Sequence, residues 1–101
     1  MKLSADQERA LEGARAMFRE RLGDRLEDVK AAVDRAAGGD GERYDAYRLA
    51  HSLAGTTATL GFTHLTPALR ILEETLEVET PDWLEARACI DRVIALHRDP
   101  S

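Results

Sequence analysis

One histidine stands in a sequence context that favours phosphoryl chemistry. His51 has Arg48 three positions before it and Gly55 four positions after it, and residues at these spacings share one face of a helix. An exposed imidazole, with an ordinary pKa of about 6.5, is largely neutral at neutral pH and acts as a nucleophile. An arginine beside it attracts anionic phosphoryl groups through charge-assisted hydrogen bonds. The spacing therefore favours a reactive histidine, and a histidine that only packs or faces solvent is the alternative.

The segment around His51 is unusual because it lacks charge. None of the 33 charged residues of the chain lies between Leu49 and Leu69, although Ser52 and several threonines make the segment too polar for a membrane span. Gly55 inside a helix costs about 1 kcal/mol relative to alanine, so it indicates close approach by another molecule or by another helix. We expect an exposed surface that is kept clear for a partner. A central helix packed on all sides is the alternative.

Other kinds of site find little support in the sequence. No pair with the spacing of a metal site occurs among the three histidines and the single cysteine, which are His51, His64, Cys89 and His97. Ser52 adjoins His51 but points about 100° away from it on a helix, which disfavours a hydrolase triad. We therefore expect neither a metal site nor a hydrolase.

Length and composition indicate a single small globular domain over residues 1–101. The chain is 44% hydrophobic and 33% charged, and it contains one cysteine, which excludes an intrachain disulfide. A net charge of −5 and a pI of about 5.1 disfavour nucleic-acid binding. The start of the chain is charged too early for a signal peptide, and no membrane span is evident. We expect a cytoplasmic protein and, because the chain starts with methionine, a whole one.

Apolar residues recur with helical spacing through most of the chain, whereas alternating strand patterns are nearly absent. Gly23 is expected to divide the first stretch into two helices, and one bent helix over residues 5–37 is the alternative. The glycine-rich run at 38–41 forms the clearest loop. Short loops between helices of roughly 22 Å imply antiparallel neighbours. We predict an all-α, antiparallel up-down four-helix bundle with an additional N-terminal helix. The helices are expected over residues 5–22, 24–37, 42–60, 64–78 and 81–97.

Local signals mark the helix ends in the second half of the chain. Gly61 is typical of a left-handed stop after the third predicted helix. Thr63 or Thr66 is expected to cap the fourth helix, and Thr80 the fifth, with Pro81 in its first turn.

The residues from His51 onward resemble the motif H-x-L-K-G-x-x-x-x-x-G of histidine phosphotransfer (HPt) domains. The match comprises the histidine, the leucine and both glycines, which are His51, Leu53, Gly55 and Gly61. The run Ala-Thr-Leu-Gly-Phe-Thr at 58–63 is similar to the phosphotransfer domain of chemotaxis-type histidine kinases. The resemblance is strong over residues 44–76 and extends over the rest of the chain through the helical pattern alone.

The resemblance implies a bacterial phosphorelay carrier rather than an independent enzyme. His51 is then phosphorylated on Nε2, by transfer to or from the aspartate of a response-regulator receiver domain, and a hybrid or chemotaxis-type histidine kinase is a further partner. The receiver supplies Mg²⁺, and the carrier has no cofactor of its own. Glu73 stands where family members often place a residue that accepts a hydrogen bond from Nδ1–H and orients the ring. A solvated helix face shared with Glu74 and Glu77 is the alternative for Glu73.

One position departs from the family motif. The usual lysine three residues after the histidine is Ala54. We therefore expect Arg48 or Arg70 to supply the missing charge beside the phosphoryl group, close to Ser52 and Gly55.

A docking surface for the receiver is expected around the histidine, with Leu60, Phe62 and Leu65 at its rim. The competing hypothesis is a non-phosphorylated HPt-like module that binds a kinase or a receiver as an inhibitor or scaffold. An exposed His51 with an acceptor at Nδ1 favours the relay, whereas a buried His51 favours the scaffold. The identity of the partners, the direction of phosphate flow and the choice between monomer and dimer stay open.

Overall fold

The computed structural model describes residues 2–99, and this part of the chain contains four α-helices and no strand. The helices are α1 (Ala5–Ala37), α2 (Arg43–Leu60), α3 (Thr66–Glu77) and α4 (Trp83–Arg98). Each helix packs against its neighbours in chain order, and α4 closes the ring by packing against α1. The predicted all-α bundle of four helices is therefore confirmed.

Contacts across the bundle show that neighbouring helices run antiparallel. At one end, Arg43 at the start of α2 donates to the carbonyl of Leu76 near the end of α3, at 2.6 Å. In the α1–α4 pair, Lys30 contacts Asp91 at 2.7 Å, and Gly23, earlier in α1, lies beside His97, later in α4. Short loops of a few residues impose this up-and-down order.

The expected division of the first stretch into two helices is wrong. α1 runs without interruption for 33 residues through Gly23, so the additional N-terminal helix is absent from the described residues. Leu22 and Leu26, on either side of the glycine, are both buried in the same core. Tertiary packing of one continuous apolar stripe thus outweighs the propensity cost of about 1 kcal/mol for a glycine in a helix.

The first turns of α1 extend beyond the bundle. The buried residues of α1 begin only at Phe18, and residues 5–17 are exposed except for the half-buried Leu11 and Arg15. A helix of this length spans about 50 Å, which accounts for the longest dimension of the fold, 48 Å against 26 Å and 20 Å for the others. We call residues 5–17 the α1 extension.

One of the predicted helix ends is confirmed, and two of the predicted caps are wrong. Gly61 ends α2 in the left-handed conformation, at φ 87°, as predicted. Thr66 does not cap α3, because it is already helical and its hydroxyl pairs with that of Thr57 at 2.9 Å. The cap of α4 is Asp82 rather than Thr80, since the Asp82 carboxylate accepts a hydrogen bond from the backbone N–H of Glu85. A carboxylate is well suited to the positive end of a helix.

Leucine, isoleucine and valine side chains from all four helices fill the core. The largest fully buried apolar side chains are Leu22, Leu26, Val29, Val33, Leu65, Leu69, Leu72, Leu76, Ile90 and Val93. The lone cysteine, Cys89, is buried among them, and burial raises the pKa of its thiol. Among residues 2–99, no helix is both long and apolar enough to cross a membrane.

Candidate functional site

His51 projects from the surface of α2 towards the neighbouring helix α3. The α2 residues that face the core recur with helical spacing on one side of the helix. His51 lies outside this buried stripe, so its imidazole is at the side of the helix. Its side chain is 60% exposed, while that of Glu73 on α3 is 15% exposed. The Nδ1 atom of His51 lies 2.6 Å from Oε2 of Glu73. The structure therefore brings together the two residues that were expected to meet.

The second oxygen of the Glu73 carboxylate is also occupied. Arg70, one turn earlier on α3, donates from Nη1 to Oε1 of Glu73 at 2.8 Å. Burial alone raises the pKa of the Glu73 carboxyl, but the hydrogen bonds and charges of His51 and Arg70 outweigh it, so the pKa lies below its usual range. Glu73 is consequently an ionised carboxylate held between two donors.

An ionised Glu73 determines which nitrogen of His51 is free. A carboxylate only accepts hydrogen bonds, so the Nδ1 atom of His51 must carry the hydrogen. The neutral imidazole then keeps its lone pair on Nε2. When Nε2 attacks an electrophile, the ring gains positive charge, and the adjacent carboxylate stabilises that charge. The arrangement suits a nucleophilic histidine whose reactive nitrogen faces solvent.

A shallow open depression lies beside the imidazole on the outer face of α2. It is lined by His51, Ser52, Gly55, Thr56, Thr59 and Leu60. A Cβ atom built on Gly55 meets no other atom within 4 Å. The glycine is therefore not required by a tight helix crossing, and it leaves backbone exposed one turn from His51. We call this depression the α2 face.

An aromatic ring that the sequence analysis did not single out supports the imidazole. The ring of Tyr47 stacks on His51 with a centroid distance of 5.9 Å and an interplanar angle of 15°. Tyr44 lies beyond Tyr47 at 6.3 Å, tilted by 30°. Tyr47 precedes His51 by one helical turn, and that four-residue spacing is the signal that could have revealed the contact.

Comparison with known families agrees with this geometry. The family model described as the Hpt domain matches residues 13–98. The chain belongs to the Hpt domain family. No curated protein and no solved structure matches the chain. Membership places it among the histidine phosphotransfer modules of phosphorelays, which are phosphocarriers that work with receiver domains and kinases.

The family match extends over the whole bundle but omits most of the α1 extension. It begins at Gly13, whereas α1 begins at Ala5. The matched part therefore includes all of α2, α3 and α4 and most of α1, and residues 5–12 lie outside it.

The position of the usual Hpt lysine is occupied by a fully buried side chain. Ala54 has no exposed surface, so a cation at this position would have to displace its neighbours to reach solvent. Arg70 is the arginine that the structure ties to the histidine site, through Glu73. Arg48 is exposed on α2, one turn before His51.

Two of the three residues predicted at the rim of the docking surface are partly accessible. Leu60 and Phe62 are half-buried at the end of α2, and Phe62 lies against Phe18, edge to face at 5.3 Å, and beneath the guanidinium of Arg19. Leu65 is completely buried, so its assignment to a docking surface is wrong. It directly precedes α3, where its side chain joins the core rather than the surface.

The remaining histidines stand apart from this site. His64 is exposed in the loop between α2 and α3, and His97 is near the end of α4 beside Gly23. In the described part of the chain, no group of three or more histidine, cysteine or carboxylate side chains could hold a metal ion.

Proposed function

We propose that this Hpt domain carries a phosphoryl group on Nε2 of His51 and exchanges it with the aspartate of a receiver domain. The observation that supports the proposal is the pairing of a 60% exposed imidazole with a carboxylate on Nδ1. The competing scaffold hypothesis requires no reactive histidine, and it accounts for neither the exposure nor the hydrogen bond. We further propose a cytoplasmic carrier that receives phosphate from a hybrid or chemotaxis-type kinase.

The transfer is a direct displacement at phosphorus. The Nε2 lone pair of His51 attacks the phosphorus of the aspartyl phosphate, the N–P bond forms, and the P–O bond to the aspartate breaks. The aspartate leaves as a carboxylate with the electron pair of that bond. The Nδ1 hydrogen stays on the ring, where ionised Glu73 offsets the positive charge. The reverse transfer follows the same path, and the receiver provides the Mg²⁺ that neutralises the phosphoryl oxygens.

We assign the surrounding residues to binding and charge balance. The α2 face, with Ser52 and Gly55 beside the histidine, is uncharged and open, so the surface of a receiver can approach Nε2 closely. Leu60 and Phe62 extend this surface towards α1. Arg70 offsets the charge of Glu73, which would otherwise repel an incoming phosphoryl group. We assign Arg48, which is exposed one turn before His51, to attraction of the incoming phosphoryl group.

The direct test is transfer of label from radiolabelled receiver domains to the wild type and to His51→Gln. His64→Gln is the matched control because it removes an exposed histidine outside the site. We expect acid-labile, alkali-stable label on the wild type and on His64→Gln, and none on His51→Gln. Binding of a receiver or kinase without any label on the wild type contradicts the proposal and favours the scaffold.

A further inference from the structure

We infer that Tyr47 is a positioning residue for phosphoryl transfer, because its ring holds the imidazole of His51 in the plane that Glu73 requires. This inference rests on the proposed function for its effect on rate. Its structural part, control of the ring of His51, is independent of that function. Tyr47 does not touch the phosphoryl group in this scheme, since it acts only through His51.

Two contacts, one with Glu73 and one with Tyr47, constrain the orientation of the imidazole. Glu73 binds within the ring plane, through Nδ1 at 2.6 Å. Tyr47 forms an offset stack with the same ring, with the centroids 5.9 Å apart and an interplanar angle of 15°. A hydrogen bond in the plane leaves the ring free to tilt about the N···O axis, whereas a stacked neighbour resists that tilt. Together they direct Nε2 outward.

Tyr47 is itself well held, which makes it a firm support. It is partly buried and packs against the core of the bundle, so its ring cannot rotate freely. It also precedes His51 on the same helix, and a helix keeps residues four apart in a constant relation. By contrast, Tyr44 is 61% exposed and contacts Tyr47 but not the imidazole.

Stacking has a chemical consequence in addition to the geometric one. The imidazole becomes positively charged as Nε2 forms its bond to phosphorus. The face of an aromatic ring carries negative electrostatic potential and attracts cations. Tyr47 therefore favours the charged ring of the transition state over the neutral ring of the ground state, and it adds to the effect of the Glu73 carboxylate.

The experiment compares Tyr47→Leu, Tyr47→Phe and Tyr44→Leu with the wild type. Tyr47→Leu removes the ring, Tyr47→Phe keeps the ring without the hydroxyl, and Tyr44→Leu removes the neighbouring ring that does not contact His51. Initial rates of transfer from a labelled receiver are measured alongside ¹⁵N NMR spectra of the His51 ring nitrogens, which report the populations of its two tautomers.

We expect Tyr47→Leu to transfer about tenfold more slowly than the wild type, since small misplacements of a reacting group have effects of this size or larger. Its ring nitrogens should change from one dominant tautomer to a mixture. Tyr47→Phe and Tyr44→Leu should stay within about twofold of the wild-type rate and keep its NMR signature. If Tyr47→Leu does not fold, Tyr47→Met fills the same space without a ring and replaces it.

Two outcomes overturn the inference. One is a Tyr47→Leu protein with wild-type rate and wild-type tautomers, which shows that the stack does not position the ring. The other is Tyr47→Phe behaving like Tyr47→Leu, which assigns the effect to the hydroxyl. A wild type that accepts no label from any receiver contradicts the proposed function instead, and the tautomer measurement still decides whether Tyr47 positions His51.

Discussion

Arg15 and Leu60 are 45 positions apart in the chain, and the Nε atom of Arg15 donates a hydrogen bond to the Leu60 carbonyl at 2.8 Å. The bond satisfies a carbonyl in the last turn of α2, where positive charge is favoured. The Arg15 guanidinium also lies over Gly61, about where a Cβ atom would be in van der Waals contact. A single side chain thus joins the α1 extension to the helix that carries His51.

Replacing Arg15 by alanine should lower the free energy of unfolding by about 1–2 kcal/mol, because a hydrogen bond from a charged donor is lost and the Leu60 carbonyl loses a partner. Urea denaturation measures this difference. Arg9→Ala is the matched control, since Arg9 forms an exposed ion pair with Asp6 on the same helix and should change stability little. Equal changes in the unfolding free energy for the two substitutions would show that the hydrogen bond to Leu60 contributes nothing measurable to stability.

Glu73 should be necessary for fast transfer, while the neighbouring Glu74 should not. Glu73→Ala removes the acceptor of the Nδ1 hydrogen, and we expect a loss of about 10²-fold in the initial rate of label transfer. Glu73→Gln should be less affected than Glu73→Ala because an amide oxygen still accepts the hydrogen bond. Glu74→Ala, an exposed change at the adjacent position, should keep the wild-type rate. If the two alanine variants lose the same amount, Glu73 does not act through His51.

The contribution of Glu73 to stability should disappear in acid. Its pKa is lowered in the folded protein, so its stabilising effect is complete above the ordinary value of about 4.3 and is lost as the pH falls through the folded-state pKa. Urea denaturation should therefore show that the difference in unfolding free energy between the wild type and Glu73→Gln decreases as the pH falls below that value. Removing one donor, in Arg70→Ala, should move the Glu73 pKa upward in a ¹³C NMR titration. An unchanged titration of Glu73 in Arg70→Ala would contradict this account.

Restoring the usual Hpt lysine should destabilise this protein instead of improving it. Ala54 is completely buried, so Ala54→Lys must overpack the core around it or displace its neighbours, at a cost of about 1–3 kcal/mol. We expect no gain in transfer rate. Ala58→Lys, at an exposed position one turn later, controls for the added charge and should have little effect on stability. Faster transfer by Ala54→Lys at unchanged stability would show that the lysine reaches the surface.

A larger side chain at position 55 should be compatible with folding but should interfere with the approach of a receiver to His51. Since a Cβ atom there has open space around it, Gly55→Ala should gain about 0.5–1 kcal/mol in stability. Gly55→Trp should fold as well but should block close approach to His51, so its binding to a receiver should weaken. Isothermal titration with the receiver and urea unfolding separate the two effects. Undiminished receiver affinity in Gly55→Trp would place docking elsewhere than on the α2 face.

Much of the fold could be predicted because each helix carries a clear apolar stripe and the loops contain strong breakers. The continuity of α1 could not be predicted, because local propensity favours a break at Gly23. The helix continues through Gly23 since Leu22 and Leu26, on either side of it, are buried in the same core. The prediction that Thr66 caps α3 was wrong for a similar reason. Thr66 is a good capping residue by type, but its hydroxyl is used by Thr57, nine positions away.

The site was predictable where it depends on a motif and not where it depends on side-chain packing. His51 follows from the spacing of the motif, and the resemblance also indicated Glu73. The four-residue spacing indicates that Tyr47 and His51 can meet, but it does not specify the near-parallel ring planes of the stack. Arg70 binds the carboxylate of Glu73, a contact that the motif does not indicate, and a role for Arg48 or Arg70 beside the phosphoryl group stays a prediction. Leu65 is predicted at the rim of the docking surface, but it is completely buried immediately before α3, at the start of that helix's apolar stripe.

The α1 extension shows that continuous hydrogen bonding along a helix does not mean uniform resistance to opening. Residues 5–17 share one unbroken ladder with residues 18–37, but only the latter carry the fully buried side chains of α1. Amide hydrogens of the early turns should exchange with solvent through fraying of a few residues, whereas those after Phe18 should exchange only when the whole bundle unfolds. One helix thus contains a boundary between two regimes of protection, and the Arg15–Leu60 hydrogen bond lies close to that boundary.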